Sequence, residues 1–101
     1  MARRKAPAHE VHRIERDGVA IDIDRTWVRS WDGLDAAAAM QDESMTVSER
    51  FLATVDYYRH ACPNVRDVEA ALRARSDGAE VTGADVMAFI GAAIREDTPK
   101  N

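Results

Sequence analysis

The chain is poor in the residues that carry chemistry: one cysteine, three histidines and six aromatic side chains in 101 residues. A lone Cys62 closes no internal disulfide, which points to a reducing compartment, the cytoplasm. One cysteine beside the scattered His9, His12 and His60 gives no zinc-ligand spacing and so no metal site. No apolar run approaches the roughly 20 residues that span a bilayer, so a membrane protein is not expected. The basic start at residues 1–8 has no apolar stretch behind it and does not read as a secretory signal. The five glycines fall singly, without a phosphate-cradling loop, and there is no G-x-S-x-G or H-E-x-x-H pattern. Cys62, just before Pro63 at an expected helix end, reads as a buried, inert thiol. No cofactor is expected, and an enzyme is not the expectation.

What is present is alanine and charge. Hydrophobic residues make up 46% of the chain and charged residues 32%, a globular rather than a disordered balance. Eighteen of the apolar residues are alanine, leaving 28 larger side chains to build a core. A single domain of that size has a net stability of about 5–15 kcal/mol, with little surplus for a strained catalytic cleft. The formal charge is −4, unevenly spread. Residues 1–16 carry five basic and two acidic groups, net +3, and the remainder nine and sixteen, net −7. Three basic residues (Arg3, Arg4, Lys5) without interleaved aromatics are a weak nucleic-acid signal, and the acidic body opposes phosphate.

The patterning predicts a mainly α domain: an N-terminal β-hairpin followed by about four short helices in one small bundle. Residues 1–8 read as a flexible leader, 9–96 as the domain and 97–101 as a tail. Asp17-Gly18 between two extended runs is a hairpin signal, because a type I′ turn needs positive φ at both central positions. In the second run Val19, Ile21 and Ile23 share one face, with Asp22 and Asp24 as solvated charge on the other. The hairpin therefore spans about 10–24, with helices over about 26–40, 46–61, 65–75 and 83–95. Residues 25–30 have two readings, an extension of the strand or a first helical turn capped by Asp24. Ser30 is an N-cap for the helical run that begins at Trp31. Trp27, Trp31, Leu34 and Ala38 would share one helical face, and the two tryptophans read first as packing between hairpin and helices, with an aromatic anchor for a partner as the alternative. Phe51, Val55, Tyr58 and Cys62 form the next stripe, then Val65, Val68 and Leu72. Asn64 with Asp67, and Thr82 with Asp85, read as helix caps, and Gly78 suits the left-handed position after a helix.

Three features are candidates for partner contact. The alanine run at 36–39 offers a thin surface for close packing, Ala36 and Ala37 foremost. Tyr57, Arg59 and His60 form the richest polar-aromatic cluster, consistent with a binding hot spot or with ordinary core plus rim. The hairpin, through Val19 and Ile21 and its unpaired edge, must dock either on its own helices or on another chain. Self-contact through these surfaces would give a homo-oligomer.

The strand Val19-Ala20-Ile21-Asp22-Ile23-Asp24, then Ser30-Trp31-Asp32-Gly33-Leu34, the polar lead-in at 44–49, Asp85-Val86-Met87-Ala88-Phe89-Ile90 and the closing Thr98-Pro99-Lys100-Asn101 together resemble the small tail assembly chaperones of long-tailed (siphovirus-type) bacteriophages and prophages. The resemblance covers residues 10–101 and rests on layout and short strings rather than a catalytic signature. It implies a non-enzymatic protein of the host cytoplasm, absent from the mature virion. Its partner would be the tape-measure protein, with the tail tube protein as a second, held while tube subunits polymerise. A contrasting expectation is a small DNA-binding regulatory or antitoxin-like module whose arm, Arg3-Arg4-Lys5, contacts DNA. A basic recognition helix would mark it, and the third helix carries Arg66, Arg73 and Arg75, against which Asp67 and Glu69 count.

Overall fold

The computed structural model describes residues 9–77 and 79–97. The expectations for residues 1–8, Gly78 and residues 98–101 lie outside them. Two antiparallel strands, β1 (Val11–Arg16) and β2 (Val19–Asp24), lead into five helices: α1 (Arg25–Arg29), α2 (Trp31–Ala39), α3 (Val47–Ala61), α4 (Val65–Arg75) and α5 (Gly83–Asp97). The chain is mainly helical with an N-terminal hairpin, as its patterning predicts, with one helix more than expected.

The hairpin turns as its dipeptide requires. Asp17 and Gly18 both take positive φ, 51° and 80°, and the register pairs Arg16 with Val19 and Ile14 with Ile21. One face of β2 is fully committed: Val19, Ile21 and Ile23 are buried among Cys62, Val68, Leu72, Val86, Ile90 and Ala93. The hairpin therefore docks on its own helices. Its outer edge is in part occupied as well. The Asp22 N–H donates to Asn64 Oδ1 (2.9 Å), and Asn64 Nδ2 donates to the Ala20 carbonyl (3.1 Å). Asn64 thus acts as one residue of a third strand instead of capping α4, where it makes no side-chain cap bond. Its amide offers a donor and an acceptor at peptide-like spacing, and two backbone groups of β2 need both.

Residues 25–30 resolve to the helical reading. Asp24 accepts from the Trp27 N–H (3.0 Å) and caps α1, which makes it buried rather than solvated. Ser30 ends one helix and starts the next: its N–H reaches the Trp27 carbonyl (3.0 Å), and its Oγ accepts from the Gly33 N–H (3.1 Å). The expected single helix over 26–40 is therefore two, meeting at a corner. Gly33 makes that corner possible, because a Cβ there would lie 2.1 Å from the Trp27 carbonyl oxygen and 2.9 Å from that of Val28.

Caps account for two of the remaining starts. Thr46 and Glu49 form a reciprocal capping box on α3. Thr82 and Asp85 do the same before α5 (2.9 and 3.1 Å). The left-handed residue after α4 is Asp77, φ 51°, a conformation Asp tolerates better than most side chains. Asp97 is not tail. It is the last residue of α5, and its carboxylate takes two bonds from Arg25 (2.9 and 2.6 Å) and one contact from His12 (2.7 Å). With Arg16–Glu96 (2.9 Å), this latches the end of α5 to the hairpin. The Arg25 guanidinium, then His12, holds the Asp97 carboxyl below its ordinary pKa against the opposing effect of burial.

Candidate interaction surface

The candidate residues come apart in the fold. Val19 and Ile21 are core, so their side chains are not a partner surface. That correction arises from the period of the strand: the one apolar face it offers is the face the helices need. Tyr57 is also buried, and burial pushes its phenol pKa up. Its ring lies 5.3 Å from Trp27 and 5.3 Å edge-on to Tyr58. His60 stacks on Trp27 at 5.0 Å with 16° between planes, leaving its other face exposed. Ala36 and His60 line the same hollow of about 400 Å³ between α2 and α3, walled by Asp32, Asp35 and Asp56. Ala37 is half-buried and Arg59 is exposed on a different groove. Of the polar-aromatic cluster, then, Tyr57 is packing, while Arg59 and His60 face two separate surfaces.

No reactive constellation forms among these groups. Cys62 is fully buried, and burial pushes its thiol up to about 11, so the thiolate is scarce at neutral pH. Asp22 is held by a two-pronged bond from Arg13 (2.7 and 3.0 Å), which lowers its pKa. Among the described residues no group of three or more His, Cys, Asp or Glu is placed to hold a metal ion, and no helix is long and apolar enough to cross a membrane. The arginines of α4 are divided. Arg75 lies over the Phe89 ring at 5.1 Å and donates to the Asp17 carbonyl (3.2 Å), and Arg73 pairs with Glu69 (3.2 Å). A basic recognition face would need them free.

What stands out instead is apolar surface left uncovered. Six large hydrophobic side chains are exposed among the described residues, and five lie on α2 and the first half of α3. They are Trp31, Leu34, Val47, Phe51 and Leu52, between 56% and 80% exposed. The cause is topological: α2 packs substantially only on α1 and α3, while the β2, α4 and α5 contacts of the core gather elsewhere. The break at Ser30 also takes Trp31 off the face of Trp27, so only Trp27 joins the aromatic cluster. This corrects the expectation that both tryptophans pack hairpin against helices. The stripe along α3 fades in the same way, from Cys62 fully buried through half-buried Tyr58 and Val55 to exposed Phe51.

Comparison with protein-family models, curated proteins and solved structures finds no match. The surface therefore stands on its own geometry. Phe51 belongs by its spacing to the apolar stripe of α3, yet both it and the neighbouring Leu52 are exposed. Adjacent helical positions lie about 100° apart, so Leu52 widens the apolar face of α3 beyond the Phe51–Val55–Tyr58–Cys62 stripe. That adjacency is the signal for a second apolar face.

Proposed function

We propose that this chain is a non-enzymatic binding module, a tail assembly chaperone of the long-tailed phage or prophage kind. It works in the host cytoplasm and masks helical segments of the tape-measure protein while the tail tube assembles around them. The observation that carries this reading is the cluster of five large, exposed apolar side chains on α2 and the start of α3. Apolar side chains concentrated on one part of a small protein mark a place of contact. A tape-measure chain is a long helical protein with apolar stripes that aggregate when bare. Covering a stripe with another helical surface is helix-in-groove recognition. Many copies along one ligand would act by avidity, so each contact can stay weak and displaceable as tube subunits arrive. The tail tube protein is the second partner on this reading, and neighbouring copies on the ligand would give a homo-oligomer.

The test is co-expression with the tape-measure protein of the same phage. The soluble yield of that protein rises when this chain is present and the two co-purify; an unchanged yield contradicts the reading. A salt-sensitive mobility shift of duplex DNA would favour the DNA-binding alternative instead.

A further inference from the structure

A groove is bounded by α3, α4 and the start of α5. It has a volume of about 460 Å³ and an apolar floor that includes Val55, Val65, Val86 and Ile90. Its rim carries three arginines, Arg59 on α3 and Arg66 and Arg73 on α4. Glu69 answers only Arg73, at 3.2 Å. Arg59 and Arg66 are exposed and have no ion-pair or hydrogen-bond partner among the described residues. Two unanswered positive charges flank this apolar floor in a chain whose net charge is −4. An occupant with carboxylates opposite them gains an attraction that an uncharged or basic one forgoes.

The groove also has a direction. Val47, Phe51, Val55 and Tyr58 succeed one another at four, four and three residues, one face of α3. The first two are exposed, and Phe51 through Tyr58 line the groove. Eleven residues at 1.5 Å each make a strip of ~17 Å, about three helical turns of a partner. The apolar surface thus runs on past the mouth of the groove, farther than a compact small molecule reaches.

We propose that this groove is a docking site for an amphipathic helix whose apolar stripe is flanked by aspartate or glutamate, the apolar face along α3 and the carboxylates on Arg59 and Arg66. The proposal rests on reading the chain as a helix-binding module and specifies the charge of the partner and the face that holds it.

The probe is a labelled, helix-stabilised peptide of about three to four turns with leucines at i, i+4 and i+7 and glutamates on both flanks. A second peptide carries lysine at every glutamate. The full-length chain binds the acidic peptide at least ~tenfold more tightly than the basic one. Arg66→Glu weakens acidic-peptide binding about tenfold, whereas Arg29→Glu, the same charge change on α1, leaves it within about twofold. Equal binding of the two peptides, no binding of either, or equal effects of the two substitutions overturns the proposal. Binding of the acidic peptide with no effect on tape-measure solubility would keep the groove and remove the chaperone reading. A solubility gain that survives Arg66→Glu and Arg59→Glu would keep the chaperone and remove the groove.

Discussion

The hairpin end and the α2 end of this molecule use similar residues to opposite effect. At the hairpin end, Ile21, Ile23, Val68 and Ile90 are all but completely enclosed, a half-buried amide continues the strand ladder, and an arginine–carboxylate latch holds α5 to β1 and α1. At the other end, Trp31 and Leu34 on the alanine-rich α2 and Phe51 and Leu52 on α3 are left exposed. Large apolar side chains inside are stability; the same side chains outside are a surface awaiting contact. The difference lies in what covers each helix, not in the composition of the segments.

Substitutions test this division most sharply in the core. Ile21→Ala or Ile90→Ala removes a fully buried side chain and should cost about 2–5 kcal/mol, read as a lower urea midpoint. Asn64→Ala strips the partners from the Asp22 N–H and the Ala20 carbonyl and should cost about 1–3 kcal/mol, with Asn64→Asp no adequate substitute because it lacks the donor. Gly33→Ala forces α1 and α2 apart at their corner, and the strain should cost about 1–3 kcal/mol although the site lies outside the hairpin core. A neutral result there would mean that the Ser30 corner is soft.

The latch adds a pH dependence. Asp97 has a folded-state pKa below its ordinary value, so its contribution is present above that ordinary value, near 4, and is lost as pH falls through the folded one. Asp97→Asn should therefore lower the melting temperature at pH 7, with the gap to the parent protein closing in acid. A gap that is the same at both pH values would contradict the role of the Arg25–Asp97 pair. The smallest effects on folding belong to the α2 end, where Trp31→Ser and Phe51→Ser should each change stability by only about 0.5 kcal/mol.

The hairpin was legible because its signals are local: Asp-Gly demands its turn, and alternation at 19, 21 and 23 names a buried face. Helix starts at Thr46 and Thr82 come from the same kind of near-neighbour bonding. The corner at Ser30 was harder, since the sequence 26–40 is helical in propensity throughout. Only the pairing of one serine with the helices on both sides, and the close approach at Gly33, divides it. Asn64 misled because asparagine before a helix usually caps, whereas here strand groups forty-two and forty-four residues earlier claim the amide. The candidate surface was the least legible part. Periodicity shows that Phe51 belongs to an apolar stripe, but which other element covers that stripe is a matter of tertiary packing. The alanine run and the Tyr57 cluster drew notice by composition, yet the uncovered side chains beside them point more strongly to contact.

The most direct test replaces both exposed aromatics at once. A Trp31→Ser/Phe51→Ser double variant is co-expressed with the tape-measure protein, and its own melting temperature is measured in parallel. The account predicts a variant that folds like the parent but no longer raises the soluble yield of the tape-measure protein. A double variant that keeps both its fold and the full solubility gain would show that the exposed apolar surface of α2 and α3 is not where the partner binds.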